Sequence, residues 1–196
     1  MNNDFSIQNI LRLIETLGEE KVGQLLSEFS CPINPEIEDF VRNKSIDFAK
    51  KKISITYFLI GDNGKIIAIF TLTHKAIDIS ADSLSASSKK KLSRFAEIDE
   101  ATGKYTVSAF LIAQFGKNLN PDIECCPPDG NTLMNCVIEF LKTVQRMVGG
   151  GVVYLECEDK PALLNFYQND SNRFHKFDTR LSASDNTSYI QLLRFF

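Results

Sequence analysis

The order strand, long helix, strand over residues 105–157 constrains this chain more than any other feature. Residues 105–115 (YTVSAFLIAQF) read as a strand, 131–148 as a helix and 151–157 (GVVYLEC) as a second strand. Two strands joined through a helical crossover lie parallel in one sheet, and such crossovers are right-handed. The helix places Leu133, Val137, Leu141, Val144 and Val148 at spacings of three or four. Asp129 and Gly130 precede it and a triple glycine, 149–151, ends it. A glycine turn that opens a helix after a strand presents backbone N–H groups to a phosphate.

The rest of the chain adds elements around this unit. Residues 5–29 read as one or two helices, with Ile7, Ile10, Leu11 and Ile14 at helical spacing and Gly18 as the break. A turn-rich link at 30–35 leads to a helix over 35–51. Ile37, Phe40, Val41 and Phe48 lie on its apolar side, Asn34 is the cap and Pro35 sits in the first turn. Residues 53–60 (ISITYFLI) and 65–79 form a hairpin closed by Gly61-Asp62-Asn63-Gly64. The polar stretch 80–102 holds a short helix and loops. After 157 come a short helix at 160–168, a strand near 173–178 and a terminal strand near 189–195. Helices, a hairpin, strand–helix–strand, a helix and two strands make an α+β fold around a mixed sheet.

Composition narrows the class. A chain of 196 residues with 43% hydrophobic and 24% charged content suits one soluble domain with a sizeable core. No apolar run approaches the roughly 18 residues of a membrane span, and the N-terminus lacks a basic start followed by an apolar stretch, so a cytoplasmic protein is expected. The five cysteines are odd in number and irregularly spaced, with no CxxC, and there are two histidines, which argues for reduced thiols and against a metal site. Cys136 and Cys157 fall in apolar patterns as core residues, and the adjacent pair Cys125-Cys126 lies in a loop. The net charge of −3 argues against nucleic acid as a partner without excluding it. The best local basic patch is Lys89-Lys90-Lys91 with Arg94, which reads first as a solvated face.

The segment Pro161-Ala162-Leu163-Leu164-Asn165-Phe166-Tyr167, coming after the strand at 151–157, resembles the corresponding stretch of the GNAT superfamily of acetyl-CoA-dependent N-acetyltransferases. Upstream, Phe29-Ser30-Cys31, a helix containing Phe40 and Ala49, and a Tyr-Phe-Leu-Ile strand more loosely resemble a GNAT subgroup that includes toxins acetylating aminoacyl-tRNA. The likeness implies a GNAT-like mixed, mostly antiparallel sheet flanked by helices. It divides the chain into an N-terminal helical extension over 1–30 and an acetyltransferase domain over 31–196.

The resemblance implies acetyl-CoA as co-substrate, no metal, and a primary amine that attacks the acetyl group directly. It places the pantetheine arm beside the strand ending at Phe115, with backbone N–H groups of Phe115 or Gly116 toward the developing oxyanion. Gly130, Asn131, Thr132 and Leu133 would take the pyrophosphate, and Asn165 would hydrogen-bond the cofactor. Tyr167 matches the tyrosine that protonates the departing thiolate, a role suited to a hydroxyl that stays neutral at physiological pH. The family's phosphate loop has arginine or glutamine, then glycine, then glycine or alanine. Aligning Gly130 with the last position puts Pro128 and Cys125 at the others, and Pro127 and Pro128 carry no N–H. The usual turn glycine after the Phe-Tyr pair is replaced by residues 168–172, where Asn169 or Asn172 is expected to take the left-handed conformation. Glu97, Asp99, Glu100, Glu156 and Glu158 read as surface or structural, and no general base is assigned. His74 lies on the second hairpin strand, within reach of an acceptor cleft. Two other readings stay open: a GNAT-fold binding or regulatory module without catalysis, and a toxin acting on aminoacyl-tRNA. Homodimerisation also stays open.

Overall fold

The computed structural model describes residues 5–123, 127–182 and 186–196. Its elements, in chain order, begin with β1 (Phe5–Asn9), α1 (Ile10–Leu17) and α2 (Glu19–Ser27). A continuous helical run follows: α3 (Pro35–Asp39), a π-helical turn (Phe40–Lys44) and α4 (Ser45–Lys50). Next come β2 (Ile55–Gly61), β3 (Ile66–Ser80), a 3₁₀ turn (Ala81–Ser83), α5 (Ala86–Leu92) and β4 (Ile98–Asp99). The chain closes with β5 (Lys104–Lys117), α6 (Gly130–Val148), β6 (Val152–Glu158), α7 (Pro161–Gln168), β7 (His175–Leu181) and β8 (Ser188–Phe195). The strands form one sheet in the order β1-β2-β3-β5-β6-β8-β7, with β4 paired to β5. It is mostly antiparallel, and β5 and β6 run parallel. This is the α+β architecture expected from the sequence.

Most elements lie where the pattern puts them, and the N-terminus is the exception. Residues 5–9 form a strand, not the first turn of a helix. Phe5 to Asn9 pair antiparallel with Gly61 to Tyr57. Phe5-Ser6-Ile7-Gln8 alternates apolar and polar residues, so it satisfies the strand period as well as the helical one. The open edge of β2 decides between them. Asn9 then starts α1, its Oδ1 accepting from the Leu11 N–H at 2.8 Å. Gly18, at φ +85°, separates α1 from α2, a conformation that an L side chain avoids. Asn34 caps α3 as expected, its Oδ1 accepting from the Ile37 N–H, with Pro35 in the first turn.

By contact density the chain divides into two compact units, residues 1–73 with 112–133 and residues 74–111 with 134–196. The core of the first gathers Ile10, Leu26, Phe29, Val41, Phe58 and Ile69, all fully buried. The core of the second gathers Ile79, Leu92, Val107, Val152, Tyr154 and Leu193. On α6, Leu133, Val137 and Leu141 are buried, but Val148 is 71% exposed. It shares their face, and the helix runs on for a turn past the elements that cover it.

Candidate active site

The site residues expected from the sequence fall into two groups, one in each unit. In the first unit lie Phe115, Gly116 and the start of α6. Along β5 the buried positions are Tyr105, Val107 and Ala109, then Ile112 and Gly116, and Asn118 just past its end is buried too. The alternation changes parity between Ala109 and Ile112, as an extra residue in a strand would make it do. Phe115 is half-buried. Gly116 is buried, and a Cβ there would stand 3.2 Å from Ile37 Cγ2, so the strand passes close under α3.

Beyond β5 the chain is held by a residue that the sequence reading missed. Asn118 is buried; its Nδ2 donates to the Ile66 carbonyl at 2.8 Å and its Oδ1 accepts from the Ser30 N–H at 2.8 Å. Its own N–H donates to the Ile67 carbonyl at 2.9 Å. The signal available was an asparagine directly after an apolar strand, with Asn120-Pro121 following. Ser30 and Cys31 are fixed from the other side: Glu38 Oε2 accepts from the Cys31 N–H at 2.6 Å, and Arg42 pairs with Glu38 at 2.9 Å. These bonds, that to the Cys31 N–H foremost, hold the Glu38 carboxyl below the usual range.

At the start of α6, Asp129 occupies the donors that the glycine turn offers. Its Oδ1 accepts from the N–H groups of Asn131 (2.9 Å) and Thr132 (3.1 Å), and its Oδ2 accepts from the Thr132 hydroxyl at 2.6 Å. The Leu133 N–H donates to the Asp129 carbonyl at 3.0 Å. The Thr132 hydroxyl and N–H, with Lys117 adding charge, keep this carboxyl below its ordinary range. Cys125 and Cys126 lie outside the described residues.

The second unit holds α7. Pro161 opens it, Asn165 is exposed, and Tyr167 is buried at 9% exposure. The two lie on different sides of the helix. The Tyr167 ring meets Phe166 at 5.0 Å and Phe174 at 5.9 Å between centroids, both edge-on. Burial, with the neighbouring Cys157 adding to it, pushes the phenol above its usual range. The residue is therefore protonated at every physiological pH. Cys157 is itself pushed up to about 11 by burial and by Asp159 and Glu158.

The turn after α7 departs from expectation. Asn169 and Asn172 do not take the left-handed conformation; Arg173 does, at φ +56°. Asn169 Oδ1 accepts from the N–H groups of Ser171 and Asn172, an Asx turn that does the work of a glycine. Asn172 is buried, and its Nδ2 donates to the Phe166 carbonyl at 2.7 Å, tying the turn to the Tyr167 end of the helix.

Glu156 sits in a network on β6. Tyr154 Oη donates to its Oε1, Gln191 Nε2 donates to Oε1 at 2.9 Å, and Arg180 Nη2 pairs with Oε2 at 2.6 Å. Burial works against its charge, yet bonds from Arg180, Tyr154 and Gln191 bring the carboxyl down to about 2. Such a group holds its charge and has little affinity for a proton, which makes it a structural anion and a poor base. His74, in β3, is exposed, its ring 6.3 Å from that of Phe110.

The parallel register of β5 with β6 comprises two pairs, Phe110 with Val153 and Leu111 with Tyr154, against seven between β6 and β8. Among the described residues no cluster of His, Cys, Asp and Glu could hold a metal, and no helix is long and apolar enough to cross a membrane.

No protein-family model matches the sequence, and no curated protein matches it. Solved structures do. AtaT complexed with acetyl-methionyl-tRNAfMet is similar at a TM-score of 0.63, with 13% identity over 95% of this chain and 94% of that one. AtaTR bound with AcCoA gives 0.60, with 16% identity over 96% and 94%. A tyrosine-to-phenylalanine mutant of KacT gives 0.64, with 13% identity over 98% and 95%. These neighbours are GNAT-fold toxins. The fold is the GNAT fold. Within it, the short β5–β6 register and the parity change in β5 are the local features that bear on a site.

Proposed function

We propose that this GNAT-fold protein is an N-acetyltransferase that moves an acetyl group from acetyl-CoA to a primary amine. The observation that carries the reading is the short register of β5 with β6, whose two pairs end at Leu111 with Tyr154. Acetyl-CoA supplies an activated thioester carbonyl. The N–H groups of Phe115 and Gly116 are the donors for negative charge on that carbonyl oxygen. The amine nitrogen forms the new carbon–nitrogen bond, and Tyr167 delivers its proton to the sulfur as the carbon–sulfur bond breaks. The proton the nitrogen sheds leaves through solvent and restores Tyr167. Asn165, exposed on α7, is a polar contact for the cofactor. The backbone at 130–133 suits a pyrophosphate only where the Asp129 carboxylate gives way, because that carboxylate holds the Asn131 and Thr132 donors.

No carboxylate is assigned as base. Glu156 is too strongly held as an anion to take a proton from the amine, which attacks in its neutral form. The similar structures suggest which acceptor to try first. AtaT is complexed with acetyl-methionyl-tRNAfMet in one of them, which supports a second reading in which the acceptor is the amino group of an aminoacyl-tRNA.

Tyr167→Phe tests the central role. Turnover with a panel of amines is expected to fall about 100-fold or more, with acetyl-CoA affinity within twofold of wild type. Equal turnover would remove Tyr167 from the reaction. The same substitution type was made in AtaT and KacT.

A further inference from the structure

A cavity of about 430 Å³ lies in the second unit between α5 and β7. Its walls carry Ser87, Ser88 and Lys91 from the α5 side and His175, Lys176 and Phe177 from β7, with Phe195 of β8 at its floor. No carboxylate lines it among the described residues. The volume falls within the range of small-molecule sites.

The cations on and beside this cavity are free of carboxylate partners among the described residues, as are others in the second unit, but only Lys91 and Lys176 line the cavity itself. Among the described residues, Lys89, Lys90, Lys91, Arg94 and Lys176 have no carboxylate within 4.0 Å. Lys91 and Lys176 are exposed. The Lys91 ammonium rests over the Phe195 ring, 5.4 Å from its centroid, which holds the charge at the cavity. Below the cations lies an apolar floor: Phe177 and Leu193 are buried. Cations and hydroxyl groups above an apolar floor match a phosphate ester joined to a flat ring. A dicarboxylate would use the cations and leave the floor uncovered, and an apolar ligand would leave the cations without a partner.

We propose that this groove binds a nucleotide, with Lys91 and Lys176 on its phosphate, the Ser87 and Ser88 hydroxyls beside them, and Phe177, Leu193 and Phe195 beneath the base. The nucleotide comes either free or as part of an RNA chain, and Lys89, Lys90 and Arg94 extend the basic surface in a way that suits a chain. The site stands independently of acetyl transfer, since none of these residues has a role in that reaction.

The test measures binding of a fluorescent single-stranded RNA oligonucleotide to the full chain by anisotropy, with AMP and inorganic phosphate as competitors. Wild type is expected to bind the oligonucleotide. Lys91→Ala/Lys176→Ala is expected to weaken that binding by roughly tenfold and to lower the slope of log affinity against log salt by roughly 1.4, the loss of two phosphate contacts. Competition by AMP well below the concentration of inorganic phosphate needed would make a free nucleotide a ligand in its own right. Oligonucleotide binding that AMP does not displace would make the chain the ligand. Lys50→Ala/Lys51→Ala, which removes two ion-paired cations of the first unit, should change nothing. The double variant at Lys91 and Lys176 keeps wild-type acetyl-CoA affinity, so failure here and failure of the transferase reading are separable. Wild type that binds neither oligonucleotide nor AMP overturns the proposal, as does a double variant that binds like wild type.

Discussion

The two units divide charge differently. The first carries nine Lys and Arg against thirteen Asp and Glu, and five of those nine cations are ion-paired. The second carries thirteen against twelve, and three of its thirteen are paired among the described residues. The net charge of −3 is therefore the sum of an acidic unit at −4 and a slightly basic one at +1, most of whose cations have no ion pair among the described residues. Polar chemistry is divided in the same way. The first unit uses buried and half-buried polar groups to fix backbone, at Asn118, Glu38 and Asp129. The second holds its titratable side chains in or beside the core, at Tyr167, Glu156 and Cys157. The anchors of the first unit hold strand edges and helix starts, and the second adds a buried phenol, a buried thiol and a half-buried carboxylate to an anchor of its own at Asn172.

If that division is right, breaking an anchor in the first unit should cost stability. Asn118→Ala leaves the Ser30 N–H and the Ile66 carbonyl without their bonds, and is expected to cost about 2 kcal/mol. That lowers the melting temperature by about 4–8 °C for a chain of this size. An unchanged melting curve would mean that the loop after β5 is held by other contacts.

Glu156→Gln probes the second unit. The folded carboxyl stands at about 2, below the ordinary value of about 4.3. The folded state thus favours the ionised form, and the stabilisation is complete above about 4.3 and is lost as pH falls toward 2. Wild type should lose stability across that window, and the glutamine variant, with nothing to protonate there, should lose less. Parallel acid-unfolding curves would mean that the network gives the carboxylate no net advantage.

Asp129→Ser keeps a helix cap and removes the charge. Acetyl-CoA affinity is expected to rise about two- to fivefold, the scale of one charge at a helix start. Equal or weaker affinity would put the pyrophosphate somewhere other than the start of α6. Smallest of all, Lys50→Ala removes an exposed ion pair with Glu19 and is expected to leave the melting temperature within about a degree of wild type.

Much of this was legible in the sequence because it rests on local periodicity and turn chemistry. The β5–α6–β6 crossover, the Asn34–Pro35 helix start and the Asn63-Gly64 hairpin all carry their own signals. The strand at 5–9 was not legible, because Phe5-Ser6-Ile7-Gln8 fits two periods and only the edge of β2 chooses between them. The site was less legible than the fold. Tyr167 stands out through its neighbours in sequence, but its burial against Phe174 depends on a turn built by Asn169 and Asn172. The Asp129 cap was visible as a cap. That it takes up the Asn131 and Thr132 donors is a matter of geometry that spacing does not encode. Lys91 and Lys176 lie 85 positions apart, so nothing local links the lysine run to the cavity.

Calorimetric titration of the purified protein with acetyl-CoA, with free CoA as control, tests the transferase reading most directly. Saturable one-to-one binding, tightened in Asp129→Ser and unchanged in Tyr167→Phe, is the predicted result. No heat of binding in wild type and in Asp129→Ser alike would contradict it, and would leave a GNAT fold that serves as a binding module.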